Sequence, residues 1–285
     1  MIAARARRIA VAAVLLLASA GGLALPRHAA VPGGVAVIRL GHAAEAPQAF
    51  FRDRRVAVLR DGDAWVALVG LALDLEPGSH PLRIAHGGRA ERVVAVEVGR
   101  LDYPVQHLRI PDPRKVEPLP EDRIRIAGEQ KRIDEIKAHW RDVAMPDAAF
   151  RLPAPGRVSG NFGLRRIING QPRNPHAGID IAAPVGTPVR AAGAGVVLET
   201  ADFFFNGNAI YVDHGQGLVT LYCHLDRIEV RPGEHVVAGQ RIGLTGNTGR
   251  SSGPHLHWTV LANGAAVDPR LFLSAPAAAS PRRTR

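Results

Sequence analysis

His255-Leu256-His257 holds the two side chains whose spacing bears most directly on chemistry. In an extended strand, residues two apart project from the same face. Both imidazoles then look into one cleft, and Leu256 points back toward the core. His176-Ala177-Gly178-Ile179-Asp180 supplies two more donors, and Gly178 lets this short loop bend so that His176 and Asp180 converge. Zinc that performs hydrolysis takes three protein ligands and keeps one position open. His176, Asp180 and His257 meet that count with two imidazoles and one carboxylate. Such a set leaves residual positive charge on Zn²⁺, which lowers the pKa of bound water toward neutrality.

Two further histidines are expected on the same side. Leu218 to His224 reads as a strand, with Val219, Leu221 and Cys223 on one face and Thr220, Tyr222 and His224 on the other. Taking the apolar face as core turns His224 toward the cleft, beside His255. An unperturbed histidine titrates at about pH 6.5, so either group exchanges a proton under working conditions. His255 is assigned as the base for the water. His224 is assigned to stabilising the oxyanion or protonating the leaving amine. Cys223 is then a core residue, and strand neighbours face opposite ways, so Cys223 and His224 are not expected to act as nucleophile and base. His214 and His235 sit in turn-like contexts, Asp213-His214-Gly215 and Pro232-Gly233-Glu234-His235. His42, His80 and His86 are scattered and read as surface or turn groups. Neither H-x-H nor H-x-x-x-D is specific alone; the two together, with a histidine closing a β-run, are much more so.

The elements that must position these groups are mainly β. The chain has 285 residues, 46% hydrophobic and only 5% aromatic, enough for two modest domains. Residues 1–25 read as a secretory signal: Arg5, Arg7 and Arg8, an apolar run from Ile9 to Leu17, and a small-residue cleavage site at Ala18-Ser19-Ala20. Apolar residues resume at Leu23 to Leu25, so retention as an anchor is the alternative. No other apolar stretch is long enough to span a bilayer, and no stable membrane insertion is expected once the signal is cleaved. Residues 31–100 read as a small β-sandwich-like domain, with runs such as Val56 to Leu59 and Trp65 to Val69 around the turn Asp61-Gly62-Asp63. Residues 101–150 form a connector: prolines at 104, 111, 113, 118 and 120 favour extended chain. Glu121 to Val143 then reads as a helix, with Ile133, Ile136 and Trp140 at helical spacing. It is read as a packing helix joining the domains, with a propeptide or lid over the site as the sharper alternative. Residues 151–273 form a second, glycine-punctuated β-rich domain, and residues 274–285 a disordered basic tail.

Charge and cysteine usage narrow the classes. The formal charge is +10, and setting aside the six arginines at the two ends leaves only a mild basic excess. No basic patch is interleaved with aromatics, which argues against nucleic acid as a partner. A single cysteine in an exported chain excludes an internal disulfide framework. Stability must come from packing and from the metal.

Residues 151–273 resemble the LytM/lysostaphin-type zinc metallopeptidase domain, family M23. The matching stretches are Phe162 to Arg165, His176 to Asp180, Ala183 to Val189, Val212 to Gly215, Tyr222 to Leu225, and Gly246 to Gly249 through Gly253 to His257. Residues 31–140 resemble, less specifically, the β domain and linker that precede this peptidase in some Gram-negative members. The resemblance implies a β-rich, partly barrel-like domain with an open groove. It implies zinc on His176, Asp180 and His257, with His224 and His255 catalytic. It implies hydrolysis of the peptide cross-links of peptidoglycan and a role in cell-wall remodelling in the periplasm. The leading domain favours a D-Ala–diaminopimelate link, with a glycine bridge left open. Cys223 departs from the small residue usual in the family, and Ile167 to Pro175 is insertion-like, either shaping the groove or forming a plain surface loop. A regulatory binding module of this fold that has lost zinc would lack ligands, and none is missing here.

Overall fold

In the computed structural model of the chain, the described residues are 24–86, 91–144 and 148–273. Most of the expected signal and the expected basic tail lie outside them. Among the described residues, no helix is long and apolar enough to cross a membrane.

Six antiparallel strands build the first domain: β1 (Val35–Gly41), β2 (Gln48–Phe51), β3 (Arg54–Asp61), β4 (Ala64–Gly70), β5 (Gly78–Ala85) and β6 (Arg92–Val98). Their order is β1-β4-β3-β2-β5-β6, and both halves of that row contribute to one core that includes Val56, Val58, Ala67, Val69, Leu82, Ile84 and Val96. The apolar runs in β3 and β4 are continuous rather than alternating because both faces are buried. Ala57, Leu59, Val66 and Leu68 point the other way and join the core of the second domain. Fully burying a leucine is worth roughly 1.5–3 kcal/mol, so Leu59 and Leu68 alone make this a firm junction. Asn263 completes it: its amide donates to Gly70 O at 3.1 Å and accepts from Gly70 N at 2.6 Å, as a neighbouring strand would. A Cβ at residue 70 would meet Ala262 O at 2.5 Å, so only glycine permits this approach.

The connector is less extended than its prolines suggest. It contains β7 (Val105–Leu108), a 3-10 turn at Pro113–Lys115 and α1 (Pro120–Ala138). Pro120 occupies the first helical turn, where its missing N–H costs nothing. The Asp122 carboxylate accepts from Leu119 N at 3.1 Å and from Arg114 at 2.6 and 2.7 Å. The helix ends five residues before the expected Val143, and Trp140 is not on it. Tertiary bonds win over helical spacing there. Arg141 Nε donates to Asp213 at 2.5 Å, and Gln216 N donates to Arg141 O at 2.9 Å, drawing the chain away along the second domain. Ile133 and Ile136 of α1 pack over Phe203, Tyr211, Val219 and Leu221, while Arg125 and Arg132 reach Asp202 and Glu199 at 3.1 and 2.7 Å.

The second domain runs β8 (Val158–Gly160), β9 (Arg165–Ile168), β10 (Gln171–Pro172), β11 (Ile179–Ala182), β12 (Pro188–Arg190), β13 (Gly195–Phe203), β14 (Gly207–Gly215), β15 (Leu218–Ile228), β16 (His235–Val236), β17 (Arg241–Thr245), β18 (His255–Ala262) and β19 (Ala265–Val267). The main sheet has the order β16-β13-β14-β15-β18-β11-β8, with β12, β17 and β19 attached beside it. Trp258, Tyr222, Leu256, Ile179, Ile181 and Val260 fill its inner face. The insertion-like stretch is a hairpin, β9–β10, whose Asn169 and Gly170 both have positive φ, as a type I′ turn requires. Strand β7 pairs with β9 in parallel, so the connector becomes part of this domain's surface.

Candidate metal centre

Register brings the ligands together. Asp180 of β11 lies directly opposite His257 of β18, and Ala182 opposite His255. Directly opposed residues project from the same face. Asp180, His255 and His257 therefore share one face, while Ile179, Ile181, Leu256 and Trp258 fill the core on the other. His176 enters from the loop before β11. Its Nε2 stands 3.0 Å from Asp180 Oδ1 and 2.9 Å from His257 Nδ1, and the latter two atoms are 2.9 Å apart. Among the described residues, these three are the cluster of donors near enough to share one ion.

The hydrogen bonds behind the ligands decide what can sit between them. His176 Nδ1 faces Asn161 O at 2.7 Å, and a carbonyl only accepts, so Nδ1 carries the proton and Nε2 presents a lone pair. His257 Nε2 is 2.9 Å from Thr259 Oγ1, which leaves Nδ1 free to ligate. A single proton on His257 Nδ1 would still leave the His176 lone pair and the Asp180 oxygen facing each other at 3.0 Å. A divalent cation satisfies all three atoms at once, and two imidazoles with one carboxylate are a zinc-type set. Burial by itself would raise the Asp180 pKa, but hydrogen bonds and charge from His176 and His257 hold it well below the usual carboxylate range. Burial pushes His257 down to about 4, with Asp180 opposing and His176 adding to the shift. Both ligands are thus ready in their metal-binding forms near neutral pH.

Two more imidazoles border the triad. His255 Nδ1 faces Gly253 O at 2.7 Å, so its bare Nε2 turns inward, 3.5 Å from Asp180 Oδ1. His224 Nδ1 faces Thr248 O at 2.8 Å, and its ring centroid lies 4.8 Å from that of His255. Burial, then the neighbouring His255 and His257, keep His224 neutral well below the ordinary histidine pKa.

His224 reaches the site by a route that simple alternation gets wrong. Val219, Leu221 and Cys223 are opposite Leu261, Thr259 and His257, so they share the metal's face; Thr220 and Tyr222 belong to the core side. Unbroken alternation would bury His224 beneath Tyr222. A β-bulge prevents this: Cys223 and His224 together oppose Ala209, and His224 adopts φ +61°. The extra residue returns His224 to the metal's face. Cys223 is therefore on that face too, yet it is a core residue as expected, packed with Ala209, Tyr211 and Leu221 in the cluster that α1 covers. It is buried, and desolvation followed by Asp180 pushes its thiol pKa well up.

The remaining histidines stand apart. His214 is buried, bonded to Ala194 O at 2.7 Å and Thr220 Oγ1 at 2.8 Å, and His42 and His235 are exposed. Helix α1 does not line the groove. Gln106, Leu108 and Ile110 of the connector do, opposite the loop Arg250 to Pro254. Sequence reasoning missed Arg166 and Arg250, which also line it. The Asn169-Gly170 hairpin signal was the available clue, because that hairpin places Arg166 on β9.

Comparison with known proteins agrees with this architecture. Residues 174–269 match peptidase family M23, and residues 28–100 match the peptidase family M23 N-terminal domain. Peptidoglycan DD-endopeptidase ShyC of Vibrio cholerae is 48% identical over 130 residues, covering 45% of this chain and 30% of that relative. DD-carboxypeptidase/endopeptidase Mpg of Neisseria meningitidis serogroup B is 43% identical over 113 residues, covering 40% and 26%. The chain thus spans less than a third of the length of these curated relatives. A crystal structure from Pseudomonas aeruginosa assigned to peptidase M23 superposes with a TM-score of 0.73 at 36% identity, covering 87% of this chain and 97% of that one. With both domains matched in one order and a complete histidine–aspartate–histidine donor set, this chain belongs to peptidase family M23.

Proposed function

We propose that the chain is a zinc metalloendopeptidase that hydrolyses the peptide cross-links of peptidoglycan. One observation carries this: three ligand atoms mutually about 3 Å apart, with two inward-facing imidazoles beside them in an open groove. Bound zinc supplies Lewis acidity and lowers the pKa of water. His176, Asp180 and His257 would hold it. The chain's own groups then handle protons. His255 Nε2, close to the ligand oxygen, accepts the proton of the attacking water. His224, whose ring lies 4.8 Å from that of His255, is placed farther along the groove beside the carbonyl oxygen and leaving amine, and its Nε2 relays to that amine the proton His255 took from water. The peptide C–N bond breaks as water oxygen bonds to the carbonyl carbon.

The named activities of the Vibrio and Neisseria relatives support peptidoglycan as substrate. That substrate, together with the basic-then-apolar residues at the start of the chain, supports action outside the cytoplasm, in the periplasm. A zinc-free binding module draws no support from a donor set that is complete.

Purified protein incubated with peptidoglycan sacculi should release products cut within the cross-link, identified by mass spectrometry. A chelator should abolish the release and added zinc should restore it. Equal release with and without chelator would overturn the zinc mechanism.

A further inference from the structure

The groove beside the metal ligands carries more positive charge than its one carboxylate, Asp180, matches. It is a cavity of about 310 Å³, with Gln106, Leu108 and Ile110 on one wall, the loop from Arg250 on the other, and Asp180, His224 and His255 between them. Arg166 enters from β9, with its side chain 18% exposed. One terminal nitrogen lies 3.3 Å from Asp180 Oδ2, the oxygen not shared by the histidines, while its Nε is buried without a hydrogen-bond partner. Arg250 enters from the facing loop, its guanidinium stacked 4.4 Å from the centroid of Phe205. Among the described residues, no carboxylate lies within ion-pair distance of it. Gln106 sits beside Arg166 in the parallel β7–β9 register, and its buried Oε1 is also unpartnered.

Two guanidinium groups gathered in a half-buried cavity repel one another, and desolvation adds to the cost. Burial, followed by Arg166 and Arg173, pushes the Arg250 pKa down to about 10. An anion arriving in the cavity relieves that cost and satisfies the idle Arg166 Nε–H. The planar guanidinium fork matches a carboxylate.

We propose that Arg166 and Arg250 read a free carboxylate on the substrate, carried at or beside the scissile bond. This rests on the reading of the groove as a peptidase site and adds a specificity to it. The carboxylate-binding groups and the proton-handling histidines share one small cavity, so carboxylate and scissile amide must lie within about a residue of each other. A diaminopimelate cross-link meets this condition, because the carbon bearing its scissile nitrogen also bears a free carboxylate. A glycine bridge, neutral along its length, does not.

The test uses two synthetic cross-linked peptide dimers, identical except that one has this carboxylate amidated. The wild-type protein should lose about tenfold or more in kcat/KM on amidation, as expected when a charged hydrogen-bonding site is left unmatched. Arg250→Gln, checked for wild-type zinc content, should lose a similar factor on the free acid and discriminate little between the dimers. Wild-type cleavage of both dimers at equal rates would overturn the proposal while leaving the peptidase reading intact, as would full discrimination by Arg250→Gln. Cleavage of neither dimer would count against the peptidase reading instead. Calorimetry on the His255→Ala protein then still decides the carboxylate site. Tighter binding of the free acid, lost in His255→Ala/Arg250→Gln, supports it, and equal affinities overturn it.

Discussion

Cys223 and His257 are directly opposed across the β15–β18 ladder, so the thiol and the ligand imidazole leave the sheet on the same face. A thiol so placed would be a rival ligand or nucleophile if it ionised. Burial and the nearby Asp180 charge oppose that, pushing its pKa well up. Cys223→Ala should therefore keep zinc stoichiometry and leave kcat/KM nearly unchanged. The lost packing should cost about 1 kcal/mol in urea unfolding. A thiol reagent should label Cys223 only after denaturation. Loss of zinc or of turnover in this variant would give the thiol a chemical role.

The two sets of histidines should separate by metal content. His176→Ala, Asp180→Ala and His257→Ala should lose both zinc, measured by atomic absorption, and turnover. His255→Ala and His224→Ala should bind zinc normally and lose about 10²- to 10⁴-fold in kcat, the usual range for a missing acid or base. If His255→Ala empties the site, the roles within the His255–His257 pair are exchanged.

The donor set was legible in the sequence because its parts are local. His255 and His257 share a strand, and His176 and Asp180 flank one short loop, so period and spacing carry the information. The strands around them were legible for the same reason. His224 was placed correctly by faulty reasoning: alternation assumed one buried face, whereas α1 covers part of the other and a bulge shifts the count by one. The groove's arginines were not legible. Arg166 and Arg250 lie 84 positions apart in the chain, and only the connector strand folding back onto β9 makes a wall that brings them into one cavity. The end of α1 was misread because Arg141 is claimed by Asp213, a partner that no helical pattern announces.

That claim has a measurable strength. Asp213 is nearly inaccessible and accepts from Arg141 at 2.5 Å, Gly215 N at 2.7 Å and His139 at 3.3 Å. Breaking a fully buried pair costs roughly 3–5 kcal/mol, but Arg141 is one-third exposed and two bonds to Asp213 would survive, so Arg141→Ala should cost about 2 kcal/mol. Zinc content at neutral pH should not change, since the pair is remote from the ligands. A cost within error of zero in urea unfolding would mean that the segment after α1 is held by other contacts.

His214 should make the fold sensitive to acid independently of the metal. It is buried beside Phe150 in a chain of hydrogen bonds through Thr220 to Tyr222, whose hydroxyl accepts from Ala192 N. Burial pushes its pKa down to about 4, against about 6.5 in the unfolded chain. Between those values the unfolded chain binds a proton that the folded chain refuses. Stability from this residue is therefore complete above about pH 6.5 and declines as pH falls toward 4, by at most about 3 kcal/mol. His257 shifts in the same direction in zinc-free protein, so the comparison must be between wild type and His214→Gln, both in chelator. The variant should be less stable at pH 7, because its hydrogen bonds are poorer, yet its unfolding free energy should fall less steeply between pH 6.5 and 4. Parallel slopes for the two proteins would show that His214 takes up its proton without unfolding, and that the buried chain tolerates an imidazolium.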